Sequence, residues 1–237
     1  MKKFCIQIMI SLVFFCEMSD AKETSTLEGK IISEKALSNK FAKKEPTKDF
    51  IFKKLSTELV AKLKTEYRTE SKKLTRKEAE NFIRELGNNA FEVVRTKDID
   101  SKEVKAGFNL LLKSRFGLMS VAGFTIGPSF KSLNQEEKEK VANDYLPKDL
   151  YNQFLSKFDS YKTSKFTVTG SKVKSYRHVE VESQLTAEKD MKIVWSVYLS
   201  KGSIRVYDVI SDGVSASNIL RSVYEERMKK KKDFWRN

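Results

Sequence analysis

Near Tyr161 the apolar period of this chain changes from about 3.6 residues to 2, and that switch constrains the fold more than any motif does. Before it, hydrophobic residues recur at three- and four-residue spacing. After it, they alternate. Helices followed by short strands joined by tight turns imply an α+β fold. The expected form is an N-terminal helical layer on a four-stranded antiparallel sheet, with a C-terminal helix.

The helical half reads as separate amphipathic stripes. Phe52, Leu55, Leu59, Leu63 and Tyr67 make one face. A second helix starts at Thr75, with Glu78 completing a capping box, and carries Ala79, Phe82, Ile83, Leu86, Ala90, Val93 and Val94. Asp100 or Ser101 opens a third, with Val104, Phe108, Leu111, Leu112 and Phe116 on one side. The stretch Phe116 to Phe130 leads on to Asn134 to Glu137, which forms a second capping box. The next helix carries Val141, Ala142 and Tyr145 before Pro147 interrupts it. Interior proline costs about 3 kcal/mol, so a kink or a restart is expected there. The stripe resumes at Leu150, Tyr151, Phe154, Leu155 and Phe158.

In the strand half, the run from Phe166 to Gly170 is the first strand. Val179, Val181 and Leu185 share one face of the second, and Ile193, Trp195, Val197 and Leu199 one face of the third. Lys201-Gly202 is a tight hairpin into Ile204 to Ile210. That strand breaks at Asp212-Gly213, where Gly213 supplies the positive φ of a sharp exit. Ser215 or Ser217 then caps a helix with Ile219, Leu220, Val223 and Met228 on its stripe.

The first 21 residues have the form of a secretory signal: Lys2-Lys3, an apolar run from Phe4 to Phe15, and Ser19-Asp20-Ala21 as cleavage site. The run is shorter than the roughly 20 residues of a membrane span. Phe14-Phe15 before Cys16 argue against a lipidation site. Both cysteines, Cys5 and Cys16, lie inside the signal, so a mature chain has no disulfide or thiolate chemistry. Residues 22–48 read as a polar, basic leader, disordered or loosely helical, and 49–237 as a single domain. The net charge of +14 suits an anionic partner, or simply lysine on every exposed helix face.

Catalytic parts are scarce. His178 is the only histidine, and no nucleophile elbow, phosphate loop or metal-ligand cluster accompanies it. Asp208 and Asp212 fit turn and cap roles better than an acid–base pair. No nucleic-acid motif is present, and an export signal points away from that partner. The expectation is a protein that is not an enzyme, with no cofactor.

Two stretches carry a family resemblance: the strand–Asp-Gly-Val-Ser–helix corner from Ile204 to Tyr224, and Phe116 to Phe130 with Val121, Ala122, Phe124, Gly127 and Phe130. In this order they resemble the MlaC or toluene-tolerance family, the periplasmic phospholipid-binding components of Mla-type ABC transport systems. Gly123, where the family has a basic residue, and Pro147 depart from its pattern. The resemblance implies a lipid carrier whose curved sheet and helices enclose an apolar cavity, with bound phospholipid as cargo. It also implies an inner-membrane ABC transporter complex and an outer-membrane lipoprotein complex as partners, with transient membrane-surface contact. The implied wall from the sheet is Val181, Trp195, Val197, Leu199 and Val209, with Val214 at the corner. From the helices it is Phe108, Leu112, Phe116, Val121, Phe124, Phe154 and Phe158. The alternative is a secreted basic adaptor whose core is filled by the same residues.

Overall fold

The computed structural model describes residues 52–96, 100–155, 162–186 and 190–230, leaving aside the side chains of 153–155 and 227–230. These lie in the compact unit Pro46–Asn237. The signal and leader readings, Phe158 and the side chains of Phe154, Leu155 and Met228 fall outside the described residues.

The helical layer follows its caps. Helix α1 (Thr57–Lys64) starts where the Ser56 hydroxyl accepts from the Leu59 N–H at 3.1 Å. It is shorter than its stripe. Thr65 turns extended, and Tyr67 leaves the helix to accept a bond from Ile204 N–H (2.9 Å) beside the sheet. Tyr67 still packs edge-on against Phe82, at 5.4 Å. Helix α2 (Arg76–Arg95) has the expected reciprocal box between Thr75 and Glu78, and α3 (Ser101–Arg115) is capped by Asp100. Helix α4 (Leu118–Ile126) runs into a 3-10 turn at Gly127–Ser132, and α5 (Gln135–Lys140) has a box between Asn134 and Glu137.

Pro147 produces a restart rather than an end. A π-helical turn, Val141–Tyr145, lets the Leu146 N–H reach the Val141 carbonyl, and α6 (Leu146–Leu155) begins at once. Pro147 is its second residue, where a missing N–H costs least.

The sheet is an antiparallel meander in the order β1-β2-β3-β4-β5. Its strands are β1 (Lys165–Ser175), β2 (His178–Thr186), β3 (Met191–Ser200), β4 (Ser203–Ser211) and β5 (Val214–Ser215). The expected four strands are thus five. Asp212 (φ 48) and Gly213 (φ 83) form a turn tight enough to fold Val214–Ser215 back onto Ile210 and Ser211. Helix α7 (Ala216–Lys230) follows directly. The Ser215 hydroxyl accepts from Asn218 N–H at 3.1 Å and donates to Asp208, which also takes the Ser217 N–H at 3.1 Å.

A bulge at Tyr207 decides which β4 residues face inward. Val197 pairs with Val206 and Trp195 with Val209, so the inward positions lie three apart. Two apolar clusters result. One joins α1, α2 and Leu111 to Val179, Val181, Val197, Leu199, Ile204 and Val206. The other joins Leu112, α4, the π turn and Leu146 to Leu220 and Tyr224. Phe116 packs against both. It is held to β4 by a bridge to Val206, while Gly117 N–H donates to the Val206 carbonyl at 2.9 Å. A Cβ on Gly117 would stand 2.8 Å from the Tyr207 ring, so glycine lets this joint lie flat on the strand.

Candidate functional site

Among the described residues, an open cleft of about 500 Å³ lies between the last turns of α2 and the start of β1. Asn88, Phe91, Glu92, Arg95 and Thr96 line it from α2 and its cap, Lys165 and Phe166 from β1. Arg95 fixes one wall: its guanidinium lies 4.8 Å over the Phe91 ring and donates to the Lys162 carbonyl (3.2 Å) and the Ser164 carbonyl. Lys165 adds a second, exposed cation.

The floor is aromatic. Phe91 and Phe166 stand 6.1 Å apart, and Phe166 meets Trp195 edge-on at 6.2 Å. Phe166 sits so close to α2 that a Cβ on Gly87 would fall 2.3 Å from its ring. Glycine at this helical position therefore lets the aromatic side chain approach the α2 backbone. The Trp195 indole N–H donates to the Ser183 hydroxyl at 2.8 Å, so the ring is half-buried with its polar edge satisfied. A file of three aromatic rings thus runs from the cleft to the first apolar cluster. On the other side of α2, a void of about 10 Å³ lies between Ala90, Val93, Val94, Val104, Phe108 and Leu111, room for at most one water.

The residues expected to form a wall divide between the two clusters. Val181, Val197 and Leu199 are buried in the first, and Trp195 and Val209 pack partly against it. Leu112 and Val121 are buried in the second, with Phe108 half-buried beside them and tilted on Tyr151 at 5.7 Å. Phe116 alone joins both sets. Two placements are corrected. Phe124 is 46% exposed, because α4 is apolar all round and buries Leu118, Val121, Ala122, Thr125 and Ile126 instead; Arg221 covers its ring at 5.6 Å. Val214 is 44% exposed, because β5 is an edge strand.

The sequence offered no sign of Arg115, whose side chain is fully buried. It meets Glu85 at 2.7 Å and lies 5.9 and 5.8 Å over Tyr67 and Phe82, while its Nε and Nη1 have no hydrogen-bond partner among the described residues. Burial pulls its pKa down, against the pull of the Glu85 carboxylate. Phe91 and Gly87 were missed too, since both lie off the α2 stripe. His178 stacks on Tyr198 at 3.9 Å, and burial holds its imidazole below the ordinary pKa. Asp208 and Asp212 are cap and turn formers: Asp212 accepts from Lys192 N–H at 3.2 Å.

No curated protein matches the sequence. Among solved structures, a phospholipid-binding protein from Ralstonia solanacearum, in complex with a phospholipid, has a similar fold. The TM-score is 0.54 at 12% identity, over 64% of this chain and 88% of that one. The family model described as MlaC protein matches residues 84–234, more than half of the sequence, from within α2 past the end of α7. With helices, meander and Asp-Gly corner in one order, the chain belongs to the MlaC family.

Proposed function

We propose that this protein is a periplasmic carrier that holds the acyl chains of a phospholipid between its helices and the inward face of its sheet. It moves the lipid between inner-membrane ABC transporter and outer-membrane lipoprotein components of an Mla-type system. The observation that carries this reading is the file Phe91, Phe166, Trp195, leading from a cation-rimmed cleft to the apolar core. Membership in the MlaC family and the phospholipid bound to the Ralstonia protein support it.

The energetics ask for enclosure and exchange. Each methylene is worth about 0.8 kcal/mol, so two ordinary acyl chains in water cost on the order of 25 kcal/mol. Replacing one apolar enclosure by another removes most of that. Val179, Val181 and Val197 are fully buried in one cluster with α2, so loading requires helices to part from the sheet and side-chain contacts to give way to acyl contacts. Arg95 and Lys165 then stand where the phosphate of the head group would emerge.

One observation favours the adaptor: Val179, Val181, Val197 and Ile204 are all 0% exposed, as in a filled core. Solvent extraction of purified protein followed by mass spectrometry separates the readings. Near-stoichiometric phospholipid is expected. No lipid, even after incubation with phospholipid vesicles, would leave only the adaptor. Export is checked on the same material. Intact mass should correspond to a chain starting at Lys22, and a chain retaining Met1 or acylated at Cys16 would overturn the soluble periplasmic carrier.

A further inference from the structure

The end of the sheet opposite the cleft has a character that lipid enclosure does not explain. In a meander the β1–β2 and β3–β4 turns fall at the same end, and backbone hydrogen bonds tie them together. Leu199 N–H donates to the Arg177 carbonyl, Leu74 N–H to the Tyr176 carbonyl and Thr69 N–H to the Gly202 carbonyl, each at 2.9 Å. Three loops therefore share one surface. They gather Lys72, Lys73, Lys172, Lys174, Arg177 and Lys201 with Glu70 and with Glu180, the latter paired with Lys174 at 3.3 Å. The flanking Glu66 is taken up by Arg68, and Glu78 by Thr69 and Thr75. At the apex Tyr176 is 61% exposed, with Arg177 lying 5.3 Å over its ring, and Val173 is 39% exposed.

We infer that this end of the sheet is a docking surface for an anionic bilayer. Tyrosine beside lysine and arginine is the composition that settles at a membrane interface, the ring among head groups and the cations on phosphates. The composition decides against a protein partner. A stable protein interface has an apolar, aromatic centre depleted of lysine, whereas these three loops expose one aromatic ring and one valine among six cations. A bilayer needs only shallow entry of the apex. The backbone bonds already order these loops, so little conformational freedom is lost on docking.

The placement also gives the contact a sense. Along the 11 residues of β1, at about 3.3 Å each, the apex and the cleft are roughly 35 Å apart. A protein held by the apex keeps its cleft turned away from that bilayer, so the contact tethers the carrier without delivering lipid.

The experiment is co-sedimentation of full mature protein with vesicles of mixed phosphatidylglycerol and phosphatidylcholine, and with phosphatidylcholine alone. Binding to the mixed vesicles only is expected. Lys73→Glu with Lys172→Glu should weaken it at least about thirtyfold, taking a basic residue near an anionic surface as worth about fivefold. Lys102→Glu with Lys131→Glu makes the same change in net charge on α3 and the 3-10 turn, and should weaken it far less. Tyr176→Ser should weaken it even at raised salt, where charge is screened. Equal loss in both charge variants, or no binding by the parent protein, would overturn the inference; the second result would return the patch to a protein partner. Bound phospholipid, measured in each sample, should not change among these variants. Its absence throughout would count against the carrier and leave the docking result standing on its own.

Discussion

Arg115→Ala is expected to lower the unfolding free energy by about 2–4 kcal/mol. The reason is volume and aromatic contact more than charge. Arg115 fills a closed space between Tyr67 and Phe82, and alanine leaves it empty. Its partner Glu85 has 42% of its side chain exposed, so that carboxylate rehydrates when the guanidinium is gone. The unpaired Nε and Nη1 already hold desolvated polar hydrogens, which no substitution makes worse. Arg115→Met should therefore restore most of the stability, to within about 1 kcal/mol of the parent, because it refills the space without the buried charge. Chemical denaturation of all three proteins checks this. Methionine proving as costly as alanine would mean that the ion pair, not the packing, holds α3 to α2.

What could be read in the sequence follows from how periodicity works. The boxes at Thr75 and Asn134, the cap at Asp100 and the alternation through Val179 to Leu185 are local, and the structure repeats them. The departures are non-local. Tyr67 continues a helical stripe by spacing, yet its carbonyl is claimed by Ile204 in a strand more than 130 residues later. The Tyr207 bulge moves the inward positions from strict alternation to Ile204, Val206 and Val209, which no period of 2 anticipates. Phe124 sits in a helix without a polar face, so spacing could not tell its buried side from its open one. The cleft was hidden for a related reason. Phe91 lies off the core stripe of α2, and Gly87 shows its role only once Phe166 is known to stand against it.

Phe91→Gln is expected to reduce copurified phospholipid about tenfold while leaving the melting of lipid-free protein near that of the parent. Phe91 is half-buried at the cleft, its ring 6.1 Å from that of Phe166 and outside the first cluster, so its loss removes little packing. Glutamine keeps the helix and a similar reach. It is preferred to aspartate, which would pair with Arg95 one turn on and mask the effect. In the loaded protein the amide oxygen can accept from Arg95, but the NH2 group would lie against an acyl chain with no acceptor, and an unpaired polar group in apolar surroundings costs about 1–3 kcal/mol. That range contains a factor of ten. The comparison is lipid per protein after identical purification, set beside thermal melting of delipidated samples. Lipid retained at the parental level with normal melting would exclude the cleft as the route to the core. Lipid lost together with a collapse in melting would make the residue structural and leave the route unsupported. Only loss of lipid from a protein that still melts normally assigns the aromatic file to the cargo, because a filled core gives Phe91 nothing to hold.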